Sequence, residues 1–295
     1  MAVYALWNNK GGVGKSYLTF QIACEYARTH QEQNVLVIDL CPQANSSSMI
    51  LGGTAQGEAS LEELSGQTPP HTIAGYIADR IVSPYVNPHT GGNFLTQAKG
   101  ENYNIPQNLY IVCGDEELEL QSTRVQNACS EDAGPHDSWR IVHTWIRDLI
   151  EDVRLSWNQE RITVFLDCNP SFSLYTELAI AAADSMIIPF SADGSSKRAV
   201  KSVLSLVYGI SRRPGQAQSL FFRNAQQYRM ALPQIYSYVG NRLTQMNASS
   251  ASAFKTVVNE IFGEIFEAWR NNPGLFCTHP TGAPAPTSRR GFKVM

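Results

Sequence analysis

The chain has 295 residues, 43% of them hydrophobic and 17% charged, with a mean hydropathy of −0.21. No run approaches the ~18 consecutive apolar residues of a membrane span. The six cysteines show no CxxC pair or metal-ligand spacing, which excludes a disulfide scaffold or zinc module and fits free thiols in a reducing, cytoplasmic setting. The net charge of −3 hides a division: residues 1–194 hold 10 Lys/Arg against 23 Asp/Glu, whereas residues 195–295 hold 13 against 3, a balance that suits an anionic partner surface.

In chain order, Ala2–Trp7 reads as a short buried strand, entered without the basic lead of a signal peptide and followed at once by a glycine-rich loop. Leu18, Ile22, Ala23 and Tyr26 then recur at helical spacing between Ser16 and Arg28. Asn34–Ile38 is a continuous apolar run ending in Asp39, as in a strand buried on both faces of a parallel sheet. Residues 53–105 are rich in Gly, Thr, Pro and Asn and read as a surface excursion, with one amphipathic helix around Ile73–Ile81. Leu109–Val112 is a further strand. Asp137 and Ser138 predict the cap of one helix whose apolar face is Ile141, Val142, Trp145, Ile146, Leu149 and Val153. Strands are expected at Thr163–Leu166, which runs into Asp167, at Ser185–Pro189 and at Gln234–Val239. An amphipathic helix follows at Phe254–Trp269, stopped by Asn271-Asn272-Pro273-Gly274. Strands alternating with helices predict one α/β domain over 1–273 with a mainly parallel sheet, and an irregular tail over 274–295.

The segment Lys10-Gly11-Gly12-Val13-Gly14-Lys15-Ser16 carries the chemistry. Glycines let the backbone turn its N–H groups toward phosphate oxygens, and the following helix adds the positive end of its dipole. Lys15 is placed to bridge β- and γ-phosphates, and the Ser16 hydroxyl to sit on magnesium, with Tyr17 following behind the loop. Asn9 stands where the strict GxxxxGK[ST] pattern has its first glycine, and Lys10 is an additional lysine.

KGGVGKS resembles the deviant Walker A box of the ParA/MinD family of partitioning and positioning ATPases. Val35–Ser47 (VLVIDLCPQANSS), Asn108–Glu119, Phe165–Ser171 (FLDCNPS) and Ala183–Val203 resemble later segments of that family in the same order, so the likeness spans roughly residues 1–245. The resemblance implies a P-loop NTPase fold of three layers, a mainly parallel central sheet flanked by helices. It implies ATP and Mg²⁺ as ligands, a homodimer closed across ATP with Lys10 reaching the partner's phosphates, and Asp39 and Asp167 near magnesium. Asn241, in Gly240-Asn241-Arg242, resembles an adenine-contacting asparagine of the family.

One position departs from the family pattern. Cys41 stands where the family keeps a second aspartate that orients the attacking water, so slow hydrolysis is expected. A ParA-like protein would bind DNA without sequence preference when ATP-bound, associate with the nucleoid, and meet a ParB-like or adaptor protein that stimulates hydrolysis. Lys197, Arg198, Lys201, Arg212, Arg213, Arg223, Arg229, Lys255 and Arg270 are the candidate DNA contacts. Because the chain starts at its first strand, no N-terminal helix-turn-helix is expected. A MinD-like membrane helix is not expected either, since Pro280, Pro284 and Pro286 interrupt Phe276–Met295. A nucleotide-dependent regulatory switch, MinD-like positioning and a metabolic P-loop enzyme with a second substrate are the alternatives.

Overall fold

The computed structural model describes residues 1–131, 134–159, 161–191, 193–210, 215, 217–241 and 248–278, with backbone alone at 248–255. Strand β1 (Ala2–Leu6) leads through the glycine loop into helix α1 (Lys15–Thr29) and strand β2 (Asn34–Leu40). Helices α2 (Asn45–Leu51), α3 (Gln56–Ser65) and α4 (Ile73–Val82) follow, then strand β3 (Thr96–Gln97), helix α5 (Ala98–Glu101) and strand β4 (Leu109–Val112). Helices α6 (Glu117–Ala128), α7 (Ser138–His143) and α8 (Trp145–Ser156) precede strand β5 (Ile162–Cys168). After helix α9 (Leu174–Ala182) and strand β6 (Ser185–Phe190) come α10 (Gly194–Tyr208) and α11 (Leu220–Gln227), then strand β7 (Gln234–Gly240) and helix α12 (Ala248–Asn271).

The seven strands form one sheet in the order β3-β4-β2-β5-β1-β6-β7, with every neighbouring pair parallel except β3 against β4. Alternation along a strand sorts its side chains between two cores. Val35 and Val37 join Ala23 and Ala27 of α1 on one face, while Leu36 and Ile38 join Ile146 and Leu149 of α8 and Leu178 of α9 on the other. Asp39 and Asp167 share the parity of Val37 and Phe165, so both fall on the α1 face at the carboxyl ends of their strands. β1 lies between β5 and β6 and its continuation is the glycine loop, at the point where the chain turns from one half of the sheet to the other. That crevice is where open α/β sheets hold ligands.

The expected strands are all present, and the differences concern helices, α3 and α5 being additional within residues 53–105. Thr144 divides the helix expected after Asp137 into α7 and α8: its N–H bonds the Ile141 carbonyl at 3.1 Å, a tighter three-residue turn, and its hydroxyl reaches the same carbonyl at 2.7 Å. Asp137 stands at the N-cap position but makes no capping bond, its carboxylate being taken by Arg140. Helix α12 starts six residues before Phe254. Residues 53–105 contain the expected helix as α4, and Ile73, Tyr76 and Ile77 bury it in the main core, with β3 adding an edge strand. Its Gly75 allows the close approach: a Cβ there would collide with the Pro70 carbonyl and lie 2.9 Å from a Phe94 ring carbon. Gly75→Ala is therefore expected to cost about 1–3 kcal/mol in chemical denaturation, the range of overpacked cores; an unchanged midpoint would show that α4 shifts freely.

Candidate functional site

The glycine loop is held from both sides. Trp7, fully buried, donates its indole N–H to the Asn169 carbonyl at 3.1 Å, and the Asn8 amide donates to the Pro189 carbonyl at 2.7 Å. Gly12 and Gly14 adopt φ of 73° and 86°, which side chains with a Cβ rarely tolerate. Helix α1 begins at Lys15 with no side-chain cap, so its first-turn N–H groups are free of the usual competitor for an anion. Lys15 is only 5% exposed. Its ammonium donates to the Lys10 carbonyl at 2.9 Å and the Asn8 carbonyl at 3.4 Å. Burial lowers its pKa, against the opposing pull of Asp167.

Two carboxylates lie side by side beneath the loop, since Asp39 and Asp167 are register partners on β2 and β5 and both are fully buried. Asp39 accepts from the Ser46 and Ser47 hydroxyls, each at 2.8 Å, and from the Cys41 and Ser47 backbone N–H groups. Its pKa is nevertheless raised, chiefly by burial. Asp167 differs: neither oxygen has a hydrogen-bond partner. Burial first, and the neighbouring Asp39 second, push it up to about 7, although the nearby Ser16 and Ser46 hydroxyls and Lys15 draw it partway back. A buried, unpartnered carboxylate beside a second one is a costly arrangement that a bound cation would relieve. Asp39, Asp167 and Ser16 therefore fit a divalent ion completed by ligand oxygens and water. Among the described residues no three His, Cys, Asp or Glu side chains gather into a self-sufficient metal cage.

The cavity beside the loop measures about 240 Å³ and is lined by Gly12, Gly14, Lys15, Ser16, Tyr17 and Cys41, among others. Cys41 is 4% exposed, and its thiol is pushed up to about 12 by burial and then by Asp39, so it is neutral at any ordinary pH. Cys168 also borders this cavity and is likewise raised by burial. Neither thiol has the lowered pKa of a reactive cysteine. Asn241, at the end of β7, donates its amide to the Val13 carbonyl at 2.9 Å and closes against Gly14.

Lys10 does not line this cavity. Its ammonium is ion-paired with Asp193 and bonded to the Ser191 hydroxyl at 2.9 Å and the Ser196 hydroxyl at 3.3 Å, in the turn between β6 and α10. Asp193 is itself the N-cap of α10, accepting from the Ser195 and Ser196 N–H groups at 3.0 and 3.1 Å. Burial alone would raise its carboxyl, but bonds from Lys10, Ser195 and Ser191 hold it well below the usual carboxylate range. Ser46, Ser47 and this Lys10 acceptor set were not identified from the sequence. Asp-Gly-Ser-Ser at 193–196 is an N-cap signature that could have located the start of α10, though not its lysine.

Among the described residues the basic candidates are spread over α10, α11 and α12. Lys197, Arg198 and Lys201 share α10, where Lys197 pairs with Glu260 and Glu264, and Lys201 with Glu264, all on α12. Arg223 lies on α11 and Arg229 just after it, both exposed, and Arg270 pairs with Glu267. Arg212 and Arg213 lie outside the described residues, as does the Lys255 side chain. No helix among the described residues is long and apolar enough to cross a membrane.

A family profile described as an AAA domain matches residues 1–219. An uncharacterised protein of Pseudomonas putida is 24% identical over 217 residues, covering 72% of this chain and 64% of that protein. The chromosome partitioning protein ParA of Caulobacter vibrioides is 26% identical over 190 residues, covering 64% and 55%. The chain thus spans less than two thirds of the length of the curated relatives it matches. Among solved structures, cobyrinic acid a,c-diamide synthase from Mycobacterium smegmatis with bound ATP analogue and magnesium superposes with a TM-score of 0.56 at 17% identity, covering 88% of this chain and 82% of that one. pNOB8 ParA bound to nonspecific DNA superposes with a TM-score of 0.52 at 15% identity, covering 92% and 76%. At these identities the superpositions establish the fold, a three-layer P-loop NTPase architecture.

Proposed function

This chain belongs to the AAA domain family as a P-loop ATPase of the ParA/MinD type, and on that footing we propose that it binds ATP with magnesium and dimerises around them. The ATP-bound dimer binds DNA without sequence preference and so partitions or positions a plasmid, chromosome region or other cargo, with a ParB-like or adaptor protein stimulating hydrolysis. The observation that carries this reading is the pair of lysines at the loop: Lys15 borders the cavity, while Lys10 is turned out of it. A phosphate loop that spends its second lysine outside its own cavity suits a site completed by another subunit. The DNA-bound ParA neighbour supports the choice of polymer.

Within the site, Lys15 supplies positive charge where phosphate charge accumulates, and the uncapped first turn of α1 supplies backbone donors. Ser16, Asp39 and Asp167 would hold magnesium, which when bound neutralises charge on phosphate oxygens. Asn241 positions the loop through the Val13 carbonyl, and the family resemblance gives it the role of contacting the adenine. Cys41 offers a neutral thiol at the water-orienting position and cannot take up a proton there. Turnover is therefore expected to lie roughly 10- to 100-fold below that of a carboxylate-bearing version, a cautious figure at the bottom of the usual general-base contributions of roughly 10²–10⁴. Cys41→Asp should raise the ATPase rate by that factor, while lowering the stability of the ligand-free protein by adding a third buried acid; an unchanged rate would show that another residue orients the water. The same cysteine favours a second reading, a switch that holds ATP and signals through its dimeric state with little hydrolysis.

DNA binding separates the readings. Association with a nonspecific duplex should require ATP and Mg²⁺, should be absent with ADP or no nucleotide, and should weaken steeply between two salt concentrations. Absence of binding in every state would remove DNA from the function and leave the switch.

A further inference from the structure

The segment that follows β2 carries a polar side chain over the nucleotide cavity on a fixed frame. Residues 41–44 make a turn in which the Ala44 N–H donates to the Cys41 carbonyl at 2.9 Å. Pro42 takes the position whose φ its ring presets, and Ala44 closes the turn at a φ of 47°. Both ends are pinned to Asp39, at one end by the Cys41 N–H at 3.0 Å and at the other by the Ser46 and Ser47 hydroxyls at 2.8 Å. Gln43 stands between these anchors, and its exposed side chain lines the same cavity as Lys15 and Ser16. Asn45, the first residue of α2, donates its amide to the Gln43 Oε1 at 3.2 Å. That bond takes one lone pair of the oxygen and leaves the second.

Hydrolysis in this cavity needs an acceptor for a hydrogen of the attacking water, and the lining offers few. Lys15 only donates, and Ser16 is committed to magnesium in the site proposed above. Cys41 and Cys168 are buried thiols, which accept weakly, and the Cys168 thiol already faces the Leu166 carbonyl at 3.7 Å. Asp39 is fully buried and taken up by the Cys41 and Ser47 N–H groups and the Ser46 and Ser47 hydroxyls. Neither Asp39 nor Asp167 is among the lining residues. The Tyr17 hydroxyl is another acceptor, on a ring left 54% exposed. The Gln43 oxygen differs in being held in place by a neighbour. An amide oxygen can orient a water without taking its proton, which suits phosphoryl transfer, where the protein's work is mostly positioning.

We propose that Gln43, held by Asn45, is the residue that orients the attacking water, an inference that rests on the ATP reading. The water oxygen bonds the γ-phosphorus as the bond from phosphorus to the β,γ-bridging oxygen breaks. The electron pair leaves with ADP and the water's proton goes to the released phosphate, so the amide ends unchanged. Cys41→Asp would add a proton acceptor beside this amide, so its gain and the Gln43 loss are separate effects. The test measures phosphate release from ATP and magnesium in a single turnover of the full chain. Calorimetry with magnesium and the β,γ-imido analogue of ATP reads affinity separately. Gln43→Leu, an exposed change, should slow phosphate release by about tenfold or more and leave analogue affinity within about threefold. Asn45→Ala should slow release by less, and the double variant should be no slower than Gln43→Leu, because Asn45 acts through Gln43. Unchanged release in Gln43→Leu, a parallel loss of analogue affinity, additive losses in the double variant, or a larger loss in Tyr17→Phe would each overturn the assignment. So would a parent protein that binds the analogue but releases no phosphate, whereas a parent that fails to bind it would overturn the ATP reading as well.

Discussion

Replacing Lys15 with alanine is expected to lower ATP turnover by about two to three orders of magnitude while moving the unfolding temperature of the ligand-free protein by no more than a few degrees. The first half follows from position: Lys15 borders the cavity at the start of α1, and losing a preorganised charge at a phosphoryl site removes stabilisation of that size. The second half follows from its surroundings. Its ammonium is nearly buried, is satisfied by the Asn8 and Lys10 carbonyls, and has a pKa lowered by that burial. Removing it relieves a desolvated charge, which offsets the packing lost with the stem. The measurements are steady-state ATPase and thermal unfolding on the same preparation. Turnover within threefold of the parent would overturn the assignment of the phosphate site, and a collapsed unfolding temperature would show that Lys15 holds the loop together.

Asp167→Asn is expected to have effects of opposite sign on stability and activity. In the ligand-free protein the Asp167 carboxyl is pushed up to about 7, well above the ordinary aspartate value, by burial and then by Asp39. The folded protein therefore binds this proton more tightly than the unfolded chain does. Its contribution to stability is fully present below the unfolded value and is lost as pH rises toward the folded one. Between pH 5 and 7 that loss amounts to about 2–3 kcal/mol, from 1.36 kcal/mol per unit. Asparagine cannot ionise, so the variant should show a flatter profile and exceed the parent in stability at pH 8, while its magnesium-dependent turnover falls. Urea denaturation of both proteins at pH 5 and pH 8, without metal or nucleotide, reads the difference. Parallel profiles would mean that the pair does not carry the pH dependence.

Much of this site was legible because its parts are local. The glycine loop and Lys15 are contiguous, and the apolar runs ending in Asp39 and Asp167 announce buried strands by themselves. What brings the two aspartates together is the register of β2 against β5, which no short segment encodes. The acceptors of Lys10 lie more than 180 residues away along the chain, in a turn set by β6 pairing with β1. Helical periodicity over 138–156 carries through, yet a tight turn at Thr144 divides the helix that it predicts. The basic residues were countable from the start, but the glutamates that face Lys197 and Lys201 come from α12, and only packing reveals them.

Those glutamates change what a salt titration would report. A lysine that meets a phosphate from solution releases the counterions condensed there, contributing about −0.9 to the slope of log affinity against log salt. Lys197 and Lys201 are instead already held by Glu260 and Glu264. To reach DNA they would exchange one anion for another, and the abandoned carboxylates would gather cations from the buffer. The net ion release per lysine is then smaller than an unpaired lysine supplies, so the measured slope would undercount the contacts on α10. Removing the two carboxylates would make binding both tighter and more salt-sensitive.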